Sequence, residues 1–84
     1  MESKEVEEAV WETLESIMLR SRTGLRTSDK LVGDLKIDSD DLSFLFVPEL
    51  EQKLGVTIPV EEWSNVYTVQ DAIDLLKKHR AEIS

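Results

Sequence analysis

Eighty-four residues carry ten basic and eighteen acidic side chains, a formal net charge of −8. That balance repels phosphate backbones and anionic membranes, and a chain this short has room for one modest core, not for a deep active-site cleft. With no cysteine in the sequence, a disulfide framework, a thiolate nucleophile and a zinc–thiolate site are all excluded.

The first helix is expected from Glu5 to about Leu19. Val6, Val10, Leu14 and Ile17 fall on one stripe, flanked by Ala9 and Met18, and glutamates fill the opposite face. Trp11 lies off the centre of that stripe and reads as boundary packing. Ser21 to Ile37 is a long connection. A structureless loop of that length is uncommon in a compact domain, so Leu25, Leu31, Val32, Leu35 and Ile37 are expected to pin it across the helices. Thr27-Ser-Asp-Lys reads as a local turn or a short helical start, since these side chains cap backbone groups.

The second helix should start at Asp38 or Ser39 as its cap. Asp40 and Asp41 then fall in the first turn, where carboxylates complement the positive helix end. Leu42, Leu45, Phe46, Leu50 and Leu54 make its buried stripe. Phe44 and Val47 point elsewhere, either widening the core or lining a cavity. Pro48 removes a hydrogen bond in mid-helix and predicts a kink or an irregular turn around residues 44–48. Gly55 closes the helix as a C-terminal cap. Val56-Thr-Ile-Pro is a short extended link, and Val60 to Val66 a brief third helix anchored by Trp63. Thr68 caps the last helix, with Asp71 three positions on completing a capping-box pattern. Val69, Ala72, Ile73 and Leu76 form its apolar face, and Lys77, Lys78, His79 and Arg80 favour its negative end. The expected fold is all-α: a small four-helix bundle, three longer helices and a short third one, in a single domain over residues 1–84 with no strand.

Charge is unevenly spread. Residues 20–36 hold five basic and two acidic side chains, whereas residues 37–76 hold nine carboxylates and only Lys53 to oppose them. Such a field steers a protein toward basic partner surfaces, although acidic charge also serves solubility alone. The longest apolar run, Leu42 to Val47 broken by Ser43, is far too short to insert into a membrane. The Met1-Glu-Ser-Lys-Glu start lacks a hydrophobic secretion segment, which together with the missing cysteines leads us to expect a cytoplasmic protein.

At the junction of loop and second helix, Ser39 stands among Asp38, Asp40 and Asp41. Such a cluster suits almost any helix start. An EF-hand spacing places Asp38, Asp40 and Glu49 at its first, third and twelfth positions. Leu42 at the fifth and Ser43 at the sixth argue against a specific calcium loop and leave only loose divalent binding to the acidic patch. The sole histidine, His79, lies on the last helix, so no serine–histidine–aspartate triad is expected.

The order of motifs gives the cluster another meaning. Asp34-Leu35, Ile37-Asp38-Ser39, Leu54-Gly55-Val56, Ile58-Pro59-Val60-Glu61-Glu62 and Thr68-Val69-Gln70-Asp71-Ala72-Ile73, in that sequence, resemble the acyl carrier protein family. The resemblance covers residues 27–76 well and the first helix only by pattern. It implies that Ser39 is the attachment point of 4′-phosphopantetheine, installed by a separate phosphopantetheinyl transferase. The arm would carry acyl groups as thioesters among acyl-transferring and acyl-elongating enzymes with basic docking surfaces. The protein would then be a non-catalytic monomer, docking through Asp38, Asp40, Asp41, Glu49 and Glu51.

Two departures stand out. Asp40 replaces the leucine usual after the serine, and Lys36 replaces a common glycine, which points to a specialised carrier in lipid or secondary acyl biosynthesis. Counting forward from Asp34-Leu35 places the attachment site at Ser39. Counting back from Leu54-Gly55 and Ile58-Pro59 places it at Asp40. One extra residue between Asp41 and Leu50 reconciles the two, with Pro48 marking a plausible place for a helix bulge. The alternative is that Asp40 has replaced the serine, leaving an unmodified adaptor that binds partner proteins through its acidic second helix.

Overall fold

The computed structural model describes residues 2–19 and 21–83, with side chains over 4–19 and 21–80; Arg20, part of the basic run, lies outside them. Helix α1 spans Glu2–Met18. It buries Val6, Ala9, Val10 and Leu14, with Ile17, Met18 and Trp11 packed at the edge of the core. Leu19 then turns left-handed at φ 55°, taking the place a glycine often fills when a helix stops. Helix α2 runs continuously over residues 39–54, built from an α-helical first turn Ser39–Asp41, a π-helical turn Leu42–Phe46 and an α-helical remainder Val47–Leu54. Helix α3 is the single turn Val60–Trp63, and α4 spans Val69–Ile83. Among the described residues there is no strand, only one isolated antiparallel bridge between Lys30 and Thr68.

The irregular turn expected near Pro48 begins earlier, at Leu42, and has an identifiable cause. Leu42, Phe46, Leu50 and Leu54 recur every fourth residue, and in an α-helix each such step drifts about 40° around the axis. A π-turn adds a residue to its turn. The Val47 N–H reaches back five residues to the Leu42 carbonyl, and the drift is partly taken back. Phe46, Leu50 and Leu54 all stay buried, with Leu42 packed against them. Pro48 follows the π-turn directly; lacking an N–H, it donates nothing back into the preceding turn, which is where a helix tolerates an irregularity.

The same turn corrects one expectation. Leu45 is not on the buried stripe; it is 51% exposed, because the smaller rotation per residue in the wider turn carries it off the side of Leu42.

Local chemistry closes the remaining ends. Gly55 is left-handed at φ 66°, and the N–H groups of Gly55 and Val56 both donate to the Glu51 carbonyl, with Val56 buried beneath; the Val56 bond is the longer closure of a Schellman motif and the Gly55 bond that of the simpler left-handed cap. At the start of α4, Asp71 N–H donates to Thr68 Oγ1 at 3.1 Å while Thr68 N–H donates back to Asp71 Oδ2 at 3.1 Å, the anticipated capping box. The loop completes that end: Val69 and Gln70 N–H groups donate to the Asp29 and Thr27 carbonyls at 3.1 and 2.8 Å. Backbone donors that a helix start leaves open are thus satisfied by the long connection.

That connection is pinned by buried Leu31 and Ile37 and half-buried Leu35. Val32, expected to help, is instead about half exposed. The chain turns sharply there, with Asp34 and Leu35 N–H groups both donating to the Lys30 carbonyl at 2.9 Å, so Leu31 faces in and its neighbour faces out. Arg22 adds an anchor that composition did not reveal. Its guanidinium contacts Glu15 at 3.0 Å and Glu8 at 3.1 Å on α1, and its backbone N–H donates to Glu15 at 2.9 Å. The Arg22 side-chain hydrogen bond holds the Glu15 carboxyl below its ordinary value. Helix α3 is shorter than expected, because the Ser64 hydroxyl donates to the Glu61 carbonyl and competes with helical continuation.

Candidate functional site

Ser39 is the first residue of α2 and is exposed. Asp38 occupies the cap position with an extended backbone (φ −63°, ψ 145°), yet its side chain makes no capping hydrogen bond. The expected cap is therefore a backbone geometry without the side-chain bond, and the carboxylate is left facing solvent. Ser39's hydroxyl has no hydrogen-bond partner among the described residues. Backbone bonding fixes the segment: Ile37 N–H donates to the Leu31 carbonyl at 3.1 Å and Leu42 N–H to the Asp38 carbonyl at 3.0 Å. Ahead of it, Lys36 sits left-handed at φ 61°, where a glycine would be unstrained.

Beside Ser39 lies a cavity of about 320 Å³ between α2, α3 and the loop, at the small end of the range for small-molecule pockets. Ser39 and Ser43 line it together with Val32, Leu42, Phe46, Val47, Val60 and Trp63. Its wall is mostly apolar, which suits a hydrophobic chain. Val47 therefore lines a cavity, as one reading of the sequence had it. Phe44 does neither of the things expected of it: it stands exposed, outside both core and cavity. Trp63 meets Phe46 edge to face, with ring centroids 6.0 Å apart and planes at 79°, so the anchor of α3 is also part of the cavity wall. Its buried Nε1 has no hydrogen-bond partner among the described residues, and the contact rests on ring packing alone.

The carboxylates singled out from the sequence divide into two kinds. Asp38, Asp40 and Glu49 are exposed and Asp41 half-buried along α2. Glu51 is half-buried and already employed, its Oε2 accepting from the Ile58 N–H at 2.8 Å. Among the described residues no group of three or more carboxylates and imidazoles is arranged to hold a metal ion. His79, far from Ser39 in sequence, lies 3.1 Å from Glu62, tying α4 to α3. No helix of the described residues is long and apolar enough to cross a membrane.

No family model matches the chain. It is similar to the acyl carrier proteins of Myxococcus xanthus and Micrococcus luteus, each 39% identical over 64 residues that cover 70% of this chain and 80% and 78% of theirs. The acyl carrier protein of Chlorobium phaeobacteroides is 33% identical over 78 residues, 93% of this chain and 99% of its own.

Proposed function

This chain belongs to the acyl carrier protein family, and on that premise we propose that Ser39 carries 4′-phosphopantetheine and that the protein acts as a monomeric, single-domain acyl carrier. What supports the reading most is the π-turn at Leu42–Phe46. One extra residue inside α2 lets both counts, forward from Asp34-Leu35 and backward from Leu54-Gly55, arrive at Ser39 and not at Asp40. An exposed hydroxyl without a competing partner among the described residues, at the rim of an apolar cavity, fits a covalently attached arm.

In the loading step Ser39 Oγ bonds to the pantetheine-bearing phosphorus of coenzyme A. The bond from that phosphorus to adenosine 3′,5′-bisphosphate breaks, and the serine proton passes to the phosphopantetheinyl transferase. When bound, the group supplies a thiol on which acyl chains are held as thioesters. The chain's own contribution is to present the hydroxyl at a fixed helix start and to offer carboxylates at Asp38, Asp40, Asp41 and Glu49, with the free edge of Glu51, to basic partner surfaces. The apolar cavity gives a carried chain a place out of water.

Incubation with coenzyme A and a broad-specificity transferase, followed by peptide fragmentation, should place one phosphopantetheine on Ser39. A modified peptide carrying it on Ser43 would move the site, and an unmodified protein would leave the adaptor reading. Asp40, in place of the usual leucine, further suggests specialised acylation. Enzymes of general fatty-acid elongation should then work more slowly on this carrier than on its Asp40→Leu variant, and equal rates would contradict that refinement.

A further inference from the structure

We propose, on the Ser39 reading above, that Trp63 sets the length of the chain this carrier holds, closing the cavity so that it accepts linear acyl groups of about eight carbons or fewer. The cavity is graded from end to end. Val32, Val60 and Tyr67 stand exposed around its mouth together with Ser39. Leu31 and Phe46 are each 1% exposed, and half-buried Trp63 lies edge to face against Phe46, so these three side chains form the closed end. A chain entering from the arm passes the rim and runs toward the Phe46–Trp63 contact. At the ~30 Å³ that a water-sized group takes up in a liquid, a volume of about 320 Å³ holds about ten non-hydrogen atoms, the size of an octanoyl thioester. The mouth is open, so that figure is a ceiling.

The closed end is also held in place. Trp63 is the last residue of α3, and both sides of it are tethered. Glu62 meets His79 on α4 at 3.1 Å, and the Ser64 hydroxyl donates to the Glu61 carbonyl. The Trp63 carbonyl itself accepts from the Val66 N–H at 3.0 Å. Swinging the indole aside to admit a longer chain would break its contact with the Phe46 ring and disturb this short turn. That loss opposes what further buried methylenes return. A long chain therefore fills the cavity with its first carbons and leaves the rest in water.

The test loads the full chain from butyryl-, octanoyl- and hexadecanoyl-coenzyme A with a broad-specificity phosphopantetheinyl transferase and reads the urea midpoint of each form. A chain lodged in the cavity favours the folded state alone, and each added carbon contributes until the cavity is full. The octanoyl parent should exceed the butyryl parent by about 0.5 M or more, and the hexadecanoyl parent should gain less than about 0.2 M beyond that. In Trp63→Ala the hexadecanoyl form should exceed the octanoyl form by about 0.5 M or more. Each midpoint is taken relative to the same variant carrying phosphopantetheine alone, so that packing lost with the indole cancels. Trp63→Leu supplies the same comparison if the alanine variant does not fold. A parent midpoint that keeps rising to hexadecanoyl, or a plateau that stays at octanoyl without the indole, would overturn the length limit. If the parent takes no group, the Ser39 reading falls and the limit with it; if the parent loads but its midpoint ignores chain length, only the limit falls.

Discussion

Asp71 shows how much a single side chain does at a helix start. Its Oδ2 accepts from the N–H groups of both Tyr67 and Thr68 at 3.1 Å, and these bonds, Tyr67 first, hold its carboxyl below the ordinary value. A depressed carboxylate contributes stability that is present above its unfolded pKa and lost as pH falls through the folded one. Asp71→Ala should therefore cost about 1 kcal/mol in urea unfolding at pH 7, and the gap from the parent should shrink below about pH 4. A gap that widens in acid would contradict this. Lys36 makes the opposite case. Held left-handed at φ 61°, it carries a strain of about 1–2 kcal/mol that glycine would not, less the extra chain entropy glycine loses on folding. Lys36→Gly should unfold at the same urea concentration or higher; a loss beyond about 1 kcal/mol would show that the lysine side chain holds the loop.

Among the elements, α2 carries most of the meaning, and its π-turn makes a sharp prediction. Deleting Phe44 would bring Leu42, Phe46, Leu50 and Leu54 to the spacing i, i+3, i+7, i+11, the stripe of a regular α-helix. That deletion should leave stability within about 1 kcal/mol of the parent. Deleting Gln52, in the regular part, should instead swing Leu54 out of the core and cost about 2–5 kcal/mol. Equal damage from both would contradict the assignment of the extra residue to the turn. The elements also show what a sequence makes legible. The α1 stripe, the Gly55 closure and the Thr68–Asp71 box depend on residues within one turn of each other, so their spacing reveals them. The irregularity of α2 was announced by Pro48 and by the two disagreeing counts. Leu45 and Val32 were misplaced because their facing depends on how a turn is closed by hydrogen bonds, which spacing does not carry. The free hydroxyl of Ser39 and the cavity beside it needed three separate segments brought together.

Over the whole molecule, long-range links that no local pattern encodes hold the bundle closed. Arg80 donates to the Leu54 carbonyl at 2.9 Å and pairs with Glu5 at 2.9 Å, joining α4 to the end of α2 and to α1. Lys53 reaches Glu12 at 3.4 Å, and His79 and Lys78 meet Glu62 at 3.1 and 3.8 Å. These pairs work against a net charge of −8, whose self-repulsion weakens the compact state. Raising sodium chloride from about 10 mM to 500 mM, which shortens the screening length from about 30 Å to a few ångströms, should raise the unfolding midpoint; a fall would mean that the ion pairs outweigh the repulsion. In the proposed function the same field and the same exposed helix start serve the carrier. The most direct measurement is the intact mass of the parent, Ser39→Ala and Ser43→Ala after incubation with transferase and coenzyme A. The parent and Ser43→Ala should each gain one phosphopantetheine and Ser39→Ala none. A gain that survives Ser39→Ala, or no gain by the parent, would contradict the account.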